Sequence, residues 1–430
     1  MPEAAKLLAA LSTPTAMKAL TNLYGSQPAR LERQRERYRS VVTKFSTLFP
    51  KEEDIVLFSA PGRTEVGGNH TDHNAGRVLA AAIDLDMIAA MAKNDRGTVT
   101  IHSEGYPPDT IKLADLIPVA SEKYTFASLV RGVAARMSQL GYAIGGFDAC
   151  ITSEIPKGSG LSSSAAFEVL IARAMNHFYN QDRIEDITLA QIAQFAENQY
   201  FGKPSGLMDQ TTCILGGFVT IDFKDAAKPV VKKVNYDFAT SGYALVIVDT
   251  GGSHAELTED YALVESEMKS VARAMGAKSL RQLSLGQVLE SLPYLRSKVN
   301  DRAILRAIHF FEDDQRVVDE VKALEGNDFK KFLSLVVASG YSSWMLNQNC
   351  YLARNPTEQG IPVALSVSER ILQGRGAYRV HGGGFAGTIQ VFVPNDMLDA
   401  YVTQIRNIFG EKSCHILSTR QPGTVRVALT

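Results

Sequence analysis

Glycine and serine are concentrated in one short segment, residues 156–166, which reads PKGSGLSSSAA. Glycines allow the backbone to fold closely around a ligand, so that successive N–H groups point into the concavity. A helix beginning at Ser164 would add the positive end of its dipole, and serine hydroxyls would offer oxygen ligands to Mg²⁺. A serine-capped helix needs only one serine and at most one glycine. The segment therefore predicts a phosphate-binding loop, although not the usual P-loop, since neither GxxxxGKS nor GxxxxGKT occurs in the chain.

A second polar segment, residues 62–74, reads GRTEVGGNHTDHN. A sugar presents several hydroxyl groups, and an apolar pocket would leave them unpaired at a real cost in free energy. A glycine-rich loop dense in Asn, His, Thr and Asp can pair them. The segment could instead be a capped surface turn, or a metal site built from His70, Asp72 and His73. The metal site is the weaker of these two interpretations because no further clustered ligands lie nearby in the sequence.

The third segment, residues 380–388, reads VHGGGFAGT and formally contains GxGxxG. A dinucleotide fingerprint needs a helix after it, whereas residues 389–393 have the composition of a strand. The segment therefore predicts a glycine turn between two strands, either as a plain hairpin or as a wall that lets the backbone approach a nucleotide closely. Between these segments, Asp209 in GLMDQ could orient or deprotonate a hydroxyl, although alone it also fits a helix cap.

The elements that must position these segments are predicted from hydrophobic periodicity and from turn residues. Strands are predicted at 55–60, 78–86, 97–102, 147–153 and 243–249, the first of them stopping at Pro61-Gly62. Helices are predicted in 1–50 and at 126–140, 165–178, 189–200, 255–275, 301–324, 327–348 and 362–373. Two strands around Gly382–Gly384 are expected to close the chain, and a polar break at 225–240 separates its halves.

Length and composition restrict the class of protein. A chain of 430 residues exceeds one ordinary core, so two domains are expected. Lys+Arg of 45 against Asp+Glu of 46 leaves a formal charge of -1, which indicates neither nucleic acid nor an anionic membrane as a partner. The four cysteines form no CxxC pair and predict buried thiols in a reducing compartment. No apolar run suggests a membrane span or a secretory signal, so a cytoplasmic location is expected.

Taken together and in this order, the segments resemble the signature motifs of the galactokinase branch of the GHMP small-molecule kinases. The resemblance extends from about residue 55 to the end of the chain. It implies an α+β fold of two domains, with the active site in the cleft between them. On this basis we expect an N-terminal helical extension (1–50), a GHMP N-terminal domain with the sugar loop and the phosphate loop (51–232), and a GHMP C-terminal domain (233–430).

The resemblance also implies roles for individual residues. Residues 62–74 are similar to the family string GRVNLIGEHTDYN and residues 206–210 to GIMDQ, which makes Asp209 the catalytic carboxylate and Arg63 its partner. Residues 306–309 resemble the family's RAxH string, and 381–387 resemble its MTGGGFGG loop. Sugar contacts are implied for Asn69, His70, Asp72, Gly206 and Tyr261. ATP contacts are implied for Lys157, Gly158, Ser159, Gly160, Leu161, Ser162, Ser163 and Ser164. Mg²⁺ ligation is implied for Ser164 and Glu197.

The expected reaction is Mg²⁺-dependent transfer of the γ-phosphoryl group of ATP to the C1 hydroxyl of galactose. One departure bears on the substrate, because Asn69 stands where the family carries the Glu that reaches the sugar's C6 hydroxyl. An amide carries no charge to repel an anionic C6 group, so galacturonate is an alternative substrate. A non-catalytic sugar and ATP sensor is a second possibility, and a nicotinamide-binding protein is the least favoured. We expect no partner besides sugar and ATP, and a monomer in preference to a homodimer.

Overall fold

The computed structural model describes residues 3–156, 160–203, 205–225, 228–252 and 257–429. The expected phosphate contacts Lys157, Gly158 and Ser159 lie outside these ranges. None of the helices within the ranges combines the length and apolar character that a membrane span needs.

The chain begins with three helices, α1 (Glu3–Ala10), α2 (Pro14–Tyr24) and α3 (Pro28–Leu48). Thr13 starts α2 by accepting a hydrogen bond from the Ala16 N–H, and Pro14 occupies the first turn, where no N–H partner is lost. Apolar residues of these helices, including Tyr38 and Phe45, pack against one face of a sheet. The predicted helical character of residues 1–50 is confirmed for these three segments.

The strands form two sheets. Their bounds in chain order are β1 (Val56–Gly67), β2 (Arg77–Lys93), β3 (Thr98–Ser103), β4 (Asp109–Lys112), β5 (Phe147–Ser153), β6 (Phe218–Asp222), β7 (Val230–Val234), β8 (Tyr243–Asp249), β9 (Ala377–Val380), β10 (Thr388–Pro394), β11 (Cys414–Leu417) and β12 (Val425–Arg426). The first sheet has the order β12-β1-β2-β5-β3-β4, with β6 and β7 branching from β2. The second has the order β11-β8-β10-β9. Neighbouring strands are antiparallel except β3 and β5.

Strand β1 does not stop at Pro61-Gly62, so that prediction is wrong. The strand continues to Gly67, with register shifts against β2 between Pro61 and Arg63 and between Glu65 and Gly67. Such irregularities accommodate a proline within a strand and change the direction of the side chains that follow it. As a result β1 carries Arg63 directly into the site.

Helices cover both sheets. Their bounds are α4 (Phe126–Gln139), α5 (Ser163–Asn180), α6 (Asp186–Ala196), α7 (Met208–Leu215), α8 (Thr258–Ala274), α9 (Leu285–Glu290), α10 (Leu292–Leu295), α11 (Asp301–Glu325), α12 (Phe329–Ser342), α13 (Gly360–Leu372) and α14 (Leu398–Phe409). Helices α4 to α7 bury their apolar faces on the first sheet, opposite α1 to α3. Helices α13 and α14 cover the second sheet. Two helices end in π-turns, α6 at Glu197–Phe201 and α12 at Ser343–Asn347.

The C-terminal end of the chain departs from the prediction that strands around Gly382–Gly384 close it. Helix α14 and strands β11 and β12 follow, and β12 pairs with β1 of the first sheet. The polar break at 225–240 also contains β7, which belongs to that sheet. The domain boundary at residue 232 stays a prediction. Strand β12 belongs to the first sheet although it follows that boundary.

Candidate active site

Arg63 and Asp209 form a two-pronged ion pair between β1 and the first turn of α7. Arg63 Nε donates to Asp209 Oδ1 and Nη2 donates to Oδ2, both at 2.7 Å. Ser162 Oγ donates to the same Oδ2 at 2.5 Å. Burial acts to raise the pKa of Asp209, but Arg63 and Ser162 outweigh it, so the pKa lies below its ordinary range. The carboxylate is therefore ionised and held in one orientation.

The same arginine connects this pair to the predicted phosphate loop. Arg63 Nη1 donates to the carbonyl of Gly160, and the Arg63 N–H donates to the carbonyl of Leu161 at 3.2 Å. Gly160 and Ser162 adopt left-handed backbone angles, with φ of 71° and 59°, so the loop turns sharply into α5. The first N–H groups of α5 lack partners within the helix and are suited to bind an anion.

A cavity of about 640 Å³ opens beside the start of α5. Ser163 and Ser164 line it on one side. Its aromatic lining consists of Tyr106, Tyr124, Phe126 and Phe201. The cavity thus combines hydroxyl groups at a helix N-terminus with rings on which a flat base can stack.

The structure brings the two predicted metal ligands together. Ser164 Oγ donates to Glu197 Oε1 at 3.0 Å, and Ser205 Oγ donates to Oε2 at 2.6 Å. Glu197 begins the π-turn that ends α6 and is only 1% exposed. One carboxylate and one hydroxyl suit Mg²⁺ that takes its remaining ligands from phosphates and water. Within the described ranges no three His, Cys, Asp or Glu side chains are grouped for a metal, which removes the metal site considered at His70, Asp72 and His73.

Sequence reasoning missed two residues beneath Glu197. Gln210 Nε2 donates to Glu197 Oε2 at 2.8 Å and to Glu168 Oε2 at 3.0 Å. Burial, and then the nearby Glu197 carboxylate, raises the pKa of Glu168 well above its ordinary value. The spacing of four residues between Ser164 and Glu168, which places both on one face of a helix, was the available signal.

The predicted sugar loop connects β1 to β2 and is held by helix α11. His309 Nε2 donates to the carbonyl of Asn69 at 2.9 Å, and Asp313 Oδ2 accepts from the Asn69 N–H at 2.8 Å. At the far end, Asp314 Oδ1 accepts from the Arg77 N–H at 2.7 Å. A single helix of the C-terminal half therefore fixes both ends of the loop.

Asn69 is fully engaged by the protein and has no exposed surface. Its amide nitrogen donates to Glu65 Oε1 at 3.0 Å and to the carbonyl of Gly382 at 2.8 Å, and its amide oxygen accepts from Asn349 at 2.8 Å. A direct contact with a sugar would require one of these bonds to open. Glu65 was missed in the sequence, although the family string carries Asn at this position and Glu at that of residue 69, so the two residue types are exchanged.

Two further predicted sugar residues, His70 and Tyr261, contact the third glycine segment. His70 Nε2 donates to the Gly383 carbonyl at 2.9 Å, and burial, with His73 adding to it, lowers the pKa of His70 to about 4. Tyr261 packs against Gly383, where an added Cβ would lie 2.5 Å from Tyr261 Cε1. Gly383 of the third glycine segment thus contacts both His70 and Tyr261.

Asp72 faces a different opening. Asp72 and Gly206 line a cavity of about 520 Å³ together with Ser205, Gln194 and Asn198. A Cβ on Gly206 would approach Asp72 Oδ2 to 3.1 Å, so glycine permits the close contact. Because Gly206 precedes Asp209 by three residues, this short segment joins the sugar loop to the Arg63–Asp209 pair.

The third glycine segment also touches the phosphate loop. The His381 ring lies 3.4 Å from the position of a Cβ on Gly160. Strands β9 and β10 pair across the glycines, with Ile389 opposite Val380, so the predicted strand–turn–strand is confirmed. A strand follows the glycines where a dinucleotide fingerprint requires a helix, so this segment is not such a fingerprint.

Comparison with known proteins places these motifs in a wider group. A family model described as the GHMP kinases N terminal domain matches residues 128–217, and one described as the galactokinase galactose-binding signature matches residues 43–93. Galactokinase of Streptomyces coelicolor is 30% identical over 376 residues, covering 86% of this chain and 92% of the relative. Galactokinase of Glaesserella parasuis serovar 5 is 31% identical over 369 residues, covering 83% and 90%.

Solved structures share the fold. The crystal structure of Lactococcus lactis galactokinase complexed with galactose matches with a TM-score of 0.78 at 23% identity, over 91% of this chain and 100% of the other. Mevalonate kinase of Methanococcus jannaschii matches with a TM-score of 0.61 at 16% identity, over 84% and 98%. The predicted two-domain α+β fold is confirmed by these likenesses.

Proposed function

The chain belongs to the galactokinase family of the GHMP kinases, and from this premise we propose that it phosphorylates galactose at the C1 hydroxyl, using ATP. The products are galactose 1-phosphate and ADP. The observation that carries the proposal is the position of the Arg63–Asp209 pair. It lies between a loop built for phosphate at Gly160–Ser164 and a segment, Gly206–Asp209, that touches the predicted sugar loop at Asp72.

Asp209 acts on the sugar hydroxyl in this proposal. An ionised carboxylate accepts the hydroxyl hydrogen and aims the oxygen at the γ-phosphorus, while Arg63 keeps Asp209 charged and oriented. The proton moves from the C1 hydroxyl toward Asp209 as the new O–P bond forms and the bond to ADP breaks. Phosphoryl transfer needs little covalent help, so positioning and charge stabilisation supply most of the rate enhancement.

The nucleotide occupies the other side of the pair. The N-terminal N–H groups of α5 hold the phosphates, and the aromatic cavity beside Ser163 and Ser164 holds the base. Ser164 and Glu197, which lie within hydrogen-bond distance of each other, would hold Mg²⁺, and the ion when bound would neutralise charge on the phosphates. Lys157, Gly158 and Ser159 remain predicted phosphate contacts.

Sugar recognition is assigned to His70, Asp72, Gly206 and Tyr261. His70 is neutral, with one ring nitrogen donating to Gly383, and Asp72 presents carboxylate oxygens to the cavity that it shares with Gly206. The amide of Asn69, which suggested galacturonate, is buried and bonded to Glu65. Galactose is therefore the substrate that we propose. Asn69 shapes the sugar loop through its hydrogen bonds to the protein.

Turnover with a panel of sugars tests the proposal. ADP release is measured with ATP and Mg²⁺ in the presence of galactose, 6-deoxygalactose or galacturonate. We expect galactose to give the highest kcat/KM. Faster turnover of galacturonate than of galactose would identify galacturonate as the substrate. Binding of ATP and galactose without ADP release would identify a sensor.

Two further predictions are retained. A cytoplasmic location rests on the reduced state expected of the four cysteines, each of which is buried and unbridged. The monomeric state also stays a prediction, and size-exclusion chromatography with light scattering tests it against the homodimer.

A further inference from the structure

Lys203 places an ammonium group on the carboxylate assigned to the metal. Its Nζ lies 3.2 Å from Glu197 Oε1, the oxygen that also accepts the hydrogen bond from Ser164. The side chain of Lys203 is 54% exposed, whereas that of Glu197 is 1% exposed. The pair therefore combines a fixed buried anion with a cation on a solvent-facing stem, which can move without disturbing the core.

The backbone puts Lys203 in this place independently of its side chain. The π-turn Glu197–Phe201 is followed by Gly202, whose φ of 90° reverses the chain. The N–H groups of Gly202 and Lys203 then both donate to the Glu197 carbonyl, at 3.0 and 3.2 Å. Substitution of the lysine side chain leaves these backbone bonds in place, so a variant tests the charge alone.

Mg²⁺ and the ammonium group cannot share this oxygen. Mg²⁺ binds oxygen ligands at about 2.0–2.1 Å, and two cations on one carboxylate oxygen repel each other strongly when partly buried. If Ser164 and Glu197 held Mg²⁺, Lys203 would have to turn outward. Without Mg²⁺, its ammonium group stands at the same carboxylate oxygen as the Ser164 hydroxyl, at the start of α5.

We propose that Lys203 replaces Mg²⁺ when the nucleotide arrives without metal, bridging Glu197 to a phosphate oxygen. An ammonium group offers three donors, enough to contact the carboxylate and a phosphate together. The site would then bind metal-free nucleotide through Lys203 and the Mg²⁺ complex largely without it. This inference rests on the proposed function, because it uses the assignment of Ser164 and Glu197 to the metal.

Calorimetric titration of the full chain with ADP tests the inference, once with excess EDTA and once with excess Mg²⁺. We expect Lys203→Met to raise the Kd of metal-free ADP about tenfold or more and that of Mg²⁺–ADP less than about threefold. Lys203→Arg keeps the charge and should stay near the wild type in both titrations. Lys232→Met is the matched control, because Lys232 is 59% exposed and pairs with Glu325 at 2.7 Å outside the site.

Three results would overturn the inference. They are an equal loss of affinity in both titrations, no loss with metal-free ADP, and a wild-type protein that binds Mg²⁺–ADP but not metal-free ADP. Each leaves the proposed function standing. A wild-type protein that binds ADP in neither titration would instead overturn the proposed function and this inference with it.

Discussion

His309 donates a hydrogen bond to the carbonyl oxygen of Asn69 across 240 residues of sequence, at 2.9 Å. Its other ring nitrogen lies 2.8 Å from Ser342 Oγ, so the imidazole is fixed from both sides. Burial lowers the pKa of His309, which keeps the ring neutral while it holds the carbonyl. The conformation of the sugar loop thus depends on the helix that packs behind it.

Replacing His309 should therefore loosen the sugar loop. His309→Ala leaves the buried Asn69 carbonyl without its donor, at a cost of about 1–3 kcal/mol in the free energy of unfolding. We expect KM for galactose to rise more than KM for ATP, as steady-state kinetics with each substrate varied will show. His415→Ala, on strand β11, provides the control for loss of a histidine. Equal changes in both KM values would mean that the contact supports the fold alone.

Asp209 should be indispensable for turnover and dispensable for nucleotide binding. Asp209→Asn keeps the shape but loses the charge that pairs with Arg63 and accepts the hydroxyl proton. We expect kcat to fall by about 10²–10⁴-fold, the usual contribution of a general base, while the Kd of Mg²⁺–ADP changes little. Asp396→Asn, on an exposed pair with Arg375, is the matched control. A kcat near that of the wild type would remove Asp209 from the mechanism.

The exchange of residue types at positions 65 and 69 predicts a rescue. Asn69→Glu would place a second buried carboxylate against Glu65, where Asn69 now donates at 3.0 Å, and should lower the free energy of unfolding by about 1–3 kcal/mol. The double variant Glu65→Asn/Asn69→Glu restores one amide and one carboxylate and should recover part of that loss. Urea unfolding of the wild type, of Glu65→Asn, of Asn69→Glu and of the double variant measures the coupling. Additive losses would show that the two positions are independent, despite the salt bridge that Arg379 also makes to Glu65.

Asp86 should give the protein a distinct dependence of stability on pH. Burial acts to raise its pKa, but Arg37, Arg420, Ser59 and Tyr24 outweigh it and hold the pKa below the ordinary 3.8. A lowered folded-state pKa stabilises the fold above the unfolded value, and the contribution is lost as pH falls through the folded value. Asp86→Asn should therefore cost about 3 kcal/mol at pH 7, since it breaks a buried ion pair.

Urea unfolding of the wild type and of Asp86→Asn across pH 2.5 to 7 checks this expectation, with the pH range set by the ordinary carboxyl pKa. The difference between the two proteins should be constant above about pH 5 and should shrink below about pH 4. Asp301→Asn serves as control, because its pair with Arg296 is exposed on both sides and contributes little. A difference that is independent of pH would show that Asp86 contributes shape and not charge.

Local signals in the sequence predict much of the fold but few of its long-range contacts. Strands 147–153 and 243–249 have the predicted bounds, because their composition and the turns that flank them define them. Strand β1 extends past its predicted end because a shift of register against β2 accommodates Pro61. The local sequence does not indicate which strand β1 pairs with, so this extension could not be predicted. The resemblance to the family motifs predicts that Arg63 lies beside Asp209, and the two side chains form an ion pair. The RAxH resemblance singles out His309, but neither segment reports the bond from His309 to Asn69, because only the packing of α11 creates it.

Arg420 reaches back from the end of the chain to the first sheet, donating to Ser59 across 361 residues and to Asp86 at 2.9 Å. Arg420 and Asp86 have almost no exposed surface, and Val425 and Arg426 then pair with β1. During synthesis at about 5–20 residues per second, the sheet that carries Arg63 would first form with Asp86 paired to Arg37 but not yet to Arg420, and with the β1 edge uncovered. Residues 420–426 must therefore leave the ribosome before the first sheet gains its second buried arginine and its last strand, and a nascent chain stalled short of them would expose the unpaired edge of β1.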